Sequence, residues 1–268
     1  MRASAVDLSK LSPPEIVESL DYETILAARK ARLRQILTDK GLLANWDPDC
    51  ESDPLVAMLE EQSYRELNLR QRVNDGARAV MLAFATGTDL DHLAADFDTA
   101  RLTLDAGDAD AVPPVDPTYE SDDALRSRAQ MAFEALSTAG PEGAYVYLAK
   151  SADARVADVK VTSPTPGEVL VTILSSEGDG VADDKLIAAV AAAMPGTDDD
   201  GVRPLTDKVT VQAATKVDYE IKATLDLFDG VGREVALTAA KTAIAAFTAA
   251  ERALGVPVTL DGIYAALR

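Results

Sequence analysis

From Arg155 onward the apolar residues change period, from the three-and-four spacing of helices to the two-residue spacing of strands. A chain that carries both periods in separate stretches reads as α+β. The first hundred residues belong to the helical stretch. Ser12-Pro-Pro-Glu15 offers an N-cap, a proline at the first helical position and a capping-box glutamate. The run Glu15–Leu37 follows, and Gly41 stops it. After a loop holding Trp46 and Pro48, Asp53-Pro54 starts a second helix expected to reach about Phe84. Its second half places Leu69, Val73, Ala77, Val80 and Phe84 on one face, at steps of three and four. Its first half is dense in charge, with Glu61–Arg65 and Glu66–Arg70 at pairing distance along the helix. Such a helix would be ~45 Å long, more than one small core covers, and the expectation is bundling with helices of other chains. A third, short helix spans Gly87–Phe97, with Thr88 as its cap and Leu90, Leu93, Ala94 and Phe97 on its buried side.

Thr103–Pro117 has linker composition, acidic and proline-rich, and helix resumes from Ser121 to about Leu136. The segment Ser137–Pro164 reads as a Gly/Pro turn, a short helix opened by Pro141, and a strand. Val159 and Val161 alternate with polar residues, and Val169, Val171 and Ile173 form a second strand with Leu170 and Leu174 on its other face. A helix follows over Asp183–Met194. The same order then repeats. Val209 and Val211 mark a strand, and Val217–Phe228 carries the cleanest two-residue alternation in the chain. A long Ala-rich helix, Arg233–Leu254, comes next, and a last one, Leu260–Arg268, presents Ile263, Tyr264 and Leu267. The expected organisation is an N-terminal helical region (1–102), a linker and helical connector (103–150), and two tandem strand–strand–helix units (151–204 and 205–268).

Composition excludes several functions. A formal charge of −19, from 45 acidic and 26 basic residues, repels nucleic-acid phosphates and anionic lipid, so neither is an expected partner. No apolar run approaches the ~20 residues of a membrane span. The N-terminus lacks the apolar core of a secretory signal, and a cytosolic origin is expected. Cys50, the one cysteine, lies in a polar loop with no histidine near it in sequence, and His92, the one histidine, has no partner at ligand spacing. No catalytic, cofactor-binding or metal-binding residue is expected, and calcium binding by the Asp105–Asp110 cluster lacks the loop pattern it needs.

The segment Ser137–Pro164 resembles the central part of the baseplate assembly protein J family, found in contractile phage tails and related injection machines. The blocks at Leu20–Leu33, Glu51–Phe84, Thr86–Phe97 with Arg101, Asp200–Ala214 and Leu254–Arg268 resemble the family's other segments, in the family's order, from about Val6 to Arg268. The resemblance implies a structural wedge subunit of the virion's tail baseplate, made in the bacterial host cytoplasm, without cofactor or catalysis. It implies pairing of two copies with a wedge protein similar to baseplate protein I, through N-terminal helices. It further implies a small lysozyme-like-fold protein linking wedge to sheath, and C-terminal parts that close a ring around the central hub and spike. Members of the family continue past the last block with a further strand and a Ser-Pro turn. Their absence here implies either a shortened chain or a strand supplied by a neighbour.

Expected contact residues are therefore Leu69, Val73, Ala77, Val80 and Phe84 in the helical region, and Ile263, Tyr264 and Leu267 at the end. The competing expectations are a baseplate-associated cell-wall hydrolase and an assembly scaffold absent from the mature particle. A hydrolase needs two carboxylates across a cleft; no pair here sits in a glycine- or aromatic-rich context, and aromatics make up only 5% of the chain.

Overall fold

Asp21 and Asp53 start the two long helices by the same device: each side chain accepts a hydrogen bond from the backbone N–H two residues on, at 3.1 Å from Glu23 and 2.8 Å from Leu55. The computed structural model describes residues 8–12, 14, 20–42, 46–137, 139–196, 202–225 and 232–267. It divides into two compact units, Val6–Asp96 and Phe97–Arg268.

In the first unit, α1 spans Tyr22–Asp39 and α2 spans Pro54–Ala79. The start of α1 differs from the expected Ser12–Glu15. Glu15 lies outside the described residues, while Leu20 and Asp21 are not helical, and the orphan N–H groups are satisfied at Asp21 instead. Gly41 ends α1 as expected. It takes φ +65°, and the Leu42 N–H to Leu37 O and Gly41 N–H to Thr38 O bonds, at 2.8 and 3.0 Å, complete a Schellman closure. α2 stops at Ala79, short of Phe84, because the chain tightens into i→i−3 bonds (Met81 N–H to Arg78 O, 3.1 Å; Phe84 N–H to Met81 O, 2.9 Å). At 26 residues it is about 39 Å long. α3 runs Gly87–Ala95, with Thr86 rather than Thr88 at its N-cap position, and buries Leu90 and Ala94. Leu26, Trp46, Val56 and Leu59 form this unit's core, and the Trp46 indole N–H donates to Asp53 Oδ2 at 3.1 Å. The loop after α1 is thus pinned to the cap of α2.

The second unit opens with a hairpin where the sequence reads as linker. β1 (Thr103–Asp105) pairs antiparallel with β2 (Thr118–Tyr119), and an Asp108–Val115 bridge extends the pairing. Gly107, at φ +69°, is required there, since a Cβ would lie 2.3 Å from Val115 O. α4 (Asp122–Met131) is capped by Ser121 and tightens into 3-10 geometry over Ala132–Leu136. α5 (Glu142–Ala152) opens after Pro141. β3 (Val156–Thr162) and β4 (Glu168–Ser175) form an antiparallel pair. α6 (Asp184–Ala192) then crosses over, and β5 (Lys208–Ala213) returns parallel to β4, giving one sheet of order β3-β4-β5.

This pairing corrects the expected repeat. A boundary at 204/205 would cut the sheet, because β5 completes the first unit of strands rather than opening another. A parallel neighbour with a helical crossover is the connection that buries both β4 and α6. Tyr145 and Ala149 of α5, Leu186 and Val190 of α6, and Val159, Val171 and Ile173 of the strands make the core. Each fully buried aliphatic side chain here contributes about 1.5–3 kcal/mol. The expected strand Val217–Phe228 is also absent as such. Residues 217–225 form no ladder among the described residues, and 226–231 lie outside them. Period two marks a segment suited to a strand, but a strand exists only where another backbone takes up its N–H and C=O groups. α7 (Arg233–Ala250) and α8 (Leu260–Leu267) follow.

One buried ion pair organises the entry to this unit. Glu120 and Arg128 are both buried and paired. Glu120 also accepts from the Leu102 N–H at 2.9 Å, and Arg128 donates to Ala100 O at 2.6 Å and to Ser151 Oγ at 3.3 Å. Arg101 adds bonds to Glu120 O (2.9 Å) and Asp122 (2.7 Å). Arg128→Met leaves the Glu120 charge buried without its partner, and urea unfolding should show a loss of about 3–5 kcal/mol. Removing both charges in Glu120→Met/Arg128→Met should cost less than Arg128→Met alone.

Candidate assembly interfaces

The charge on α2 is organised around Glu66. Arg29 of α1 donates to it through Nε at 2.9 Å, and Arg70, one turn along α2, through Nη2 at 2.7 Å. Arg29 also reaches Gln62 Oε1 at 3.1 Å. The Arg29 and Arg70 guanidiniums, Arg29 foremost, hold the Glu66 carboxyl below the usual glutamate range. Glu61 and Arg65 pair on the exposed side, so both i,i+4 pairs expected from the sequence form.

Beyond the reach of Arg29, the second half of α2 carries apolar side chains that nothing among the described residues of its unit covers. Leu69 is 63% exposed, Val73 52% and Val80 69%, with Ala77 and Phe84 half-buried. The buried residues of α2 sit mainly nearer its start, at Val56, Leu59 and Ser63. Leu69 also borders a shallow hollow shared with Arg29, Gln62 and Arg65. Sequence reasoning missed Met58 and Tyr64, which are exposed on the same helix. Their signal was their place off the face that Val56 and Leu59 share.

A second uncovered region lies at the end of the chain. Neither α7 nor α8 has a fully buried residue. Their contact is close at one point, where a Cβ on Gly262 would lie 2.6 Å from the Phe247 ring. The turn after α7 is tied back to the sheet: Arg252 donates to Gly178 O at 3.2 Å, and the Leu254 N–H to Asp158 Oδ2 at 2.8 Å. Ile263 and Leu267 are half-buried and Tyr264 is 66% exposed. They border a half-open cavity of about 990 Å³ whose opposite wall is the segment from Tyr219 to Leu225.

The described residues assemble no catalytic constellation. Buried Glu120 is fully engaged by Arg128 and backbone. Tyr145 donates to Asp207 at 2.6 Å, and burial together with that carboxylate pushes its phenol far up, which fixes α5 to the segment entering β5. Arg155 clasps Asp153 at 2.8 Å and keeps that carboxyl low. His92 and Cys50 are both exposed. Among the described residues no group of His, Cys, Asp and Glu is placed to hold a metal, and no helix is long and apolar enough to cross a membrane.

An exposed apolar stripe on a charged helix and two C-terminal helices without a fully buried residue are the surface features beside which the comparisons with known proteins stand. The baseplate J-like N-terminal domain matches residues 51–108, and the baseplate J-like central domain matches 137–213. The second match ends with β5, at the edge of the sheet. Baseplate protein J of Escherichia phage P2 is 48% identical over 263 residues, covering 98% of this chain and 86% of the relative. The chain belongs to the baseplate J-like family.

The Glu66 cluster sets a pH dependence for the α1–α2 pairing. A carboxyl held low stabilises the fold above the ordinary glutamate range, and that contribution is lost as pH falls through its lowered value. Wild type should therefore exceed Glu66→Gln in urea unfolding by about 1 kcal/mol near neutral pH, the pair being partly exposed. The gap should close as pH falls below the ordinary glutamate range.

Proposed function

We propose that this protein is a structural subunit of the baseplate wedge in a contractile phage tail or tail-like particle. The observation that carries the reading is the Leu69–Val73–Val80 face, open on a long charged helix in a chain of the baseplate J-like family. A helix exposing such a stripe lowers its free energy by laying it against other helices. The partners are a second copy of the chain and a wedge protein resembling baseplate protein I, joined through the region 1–102. A small lysozyme-like-fold protein connects this bundle to the sheath. The region 205–268, with Ile263, Tyr264 and Leu267, meets neighbouring wedges and closes the ring around the central hub and spike. The protein is assembled in the host cytoplasm and stays in the virion. It acts by holding shape, not by catalysis, and takes no cofactor, nucleic acid or membrane as partner.

The chain's −19 charge keeps unassembled subunits apart in solution; apolar burial then provides the cohesion. Surface ion pairs are weak and screened by salt, and at ~1 M the Debye length is only ~3 Å.

Co-expression with the wedge partner tests the bundle. Leu69→Asp, Val73→Asp and Ala77→Asp together should abolish co-purification while circular dichroism shows the sheet-bearing unit intact; retained co-purification would place the bundle elsewhere. The wild-type complex should persist on a sizing column at ~1 M salt. Truncation at Gly255 should spare the wedge complex yet block its joining into rings, read by negative-stain microscopy.

A further inference from the structure

Residues 217–225, Val-Asp-Tyr-Glu-Ile-Lys-Ala-Thr-Leu, alternate apolar and polar through their whole length. Their backbone groups make no hydrogen bond to any other backbone among the described residues. Tyr219, Ile221 and Ala223 line one wall of the C-terminal cavity, against Val258, Ile263 and Leu267. Glu220 and Lys222, which alternate with them, border the same cavity, are exposed, and pair with each other at 3.1 Å. An alternating strand sequence without a ladder among the described residues is a template for another strand.

The charge pattern selects the partner. We propose that this segment pairs antiparallel with the same segment of a second copy of the chain, about a two-fold axis at Ile221. The inference rests on the reading of the C-terminal region as a contact between subunits. In an antiparallel pair, residues directly opposite point to the same face. Centring on Ile221 sets Ile221 against Ile221, Tyr219 against Ala223, and Val217 against Leu225. All apolar residues then share one face of the pair. On the other face Glu220 stands opposite Lys222 of the second copy, and Lys222 opposite its Glu220. Asp218 meets Thr224. No like charges oppose each other. Moving the axis one residue either way puts Glu220 against Glu220 or Lys222 against Lys222, which is destabilising. A half-step slip would turn the apolar face of one copy toward the polar face of the other. For a strongly acidic chain, which repels its own copies, a segment that neutralises itself on pairing is a specific self-contact.

Cross-linking in the full chain tests this, with Cys50→Ser removing the native thiol. Directly opposed residues lie within disulfide reach. Under mild oxidation Ile221→Cys should therefore give covalent dimers in high yield, both in the purified chain and in assembled particles. Glu220→Cys alone and Lys222→Cys alone should cross-link poorly, while a mixture of the two should give the mixed dimer. Reversing one charge, as Glu220→Lys, should weaken dimerisation about tenfold, and Glu220→Lys/Lys222→Glu should restore it. Both positions are exposed, so the variants should fold like wild type. If Ile221→Cys remains unlinked while rings assemble, self-pairing is wrong and the ring contact stands. If it cross-links but truncation at Gly255 leaves rings intact, self-pairing stands and the ring reading falls. Equal yields at 220, 221 and 222 would overturn the register.

Discussion

The Glu120–Arg128 pair is the contact on which the larger unit depends. Two opposite charges buried together gain little over a well-packed apolar pair, but each becomes costly once the other is removed. Here the two groups also satisfy backbone at Ala100 and Leu102 and reach Ser151 of α5. The incoming chain, the end of the hairpin, α4 and α5 are thereby locked into one arrangement. From that frame α5 lays Tyr145 and Ala149 onto the sheet, and Tyr145 reaches Asp207 just before β5. A polar constraint at one end of the unit thus positions the strand at its far edge.

The folded chain leaves two regions unfinished, and they differ in kind. On α2 the helix is complete in itself, since its backbone is satisfied internally, and only its side-chain stripe lacks cover. At the C-terminal end the backbone lacks a partner among the described residues as well: residues 217–225 have strand chemistry without a ladder there. The first region can accept any helix of matching shape. The second, under the proposed self-pairing, takes another strand in a fixed register.

Helices were legible where the caps were. Asp53-Pro54, Gly41, Ser121, Pro141 and Asp183 all mark ends that the structure keeps. Where a cap competed with nearby alternatives the reading slipped, to Asp21 from Ser12 and to Thr86 from Thr88. The hairpin over 103–119 was hidden because its strands are too short to show a period, and the glycine at its turn resembles any loop glycine. The apolar stripe on α2 was visible as spacing, but its exposure was not; that Met58 and Tyr64 are exposed on the same helix emerged only once the position of the core was known. Arg128 and Glu120 gave no signal, for their burial depends on packing far along the chain.

Local chemistry is what the sequence by itself determined: α+β class, the helix ends, the alternating strands, the acidic surface and the want of metal-ligand or nucleophile patterns. These follow from residues within a turn or two of one another. Tertiary structure alone decided which strands pair. Val209–Val211 and Val217–Leu225 look alike as sequence, yet the first joins β4 and the second has no ladder among the described residues. A two-residue period fixes which way side chains point, whereas a ladder requires a second backbone at ~4.8 Å. Whether one is there is a property of the whole fold, and of the assembly around it.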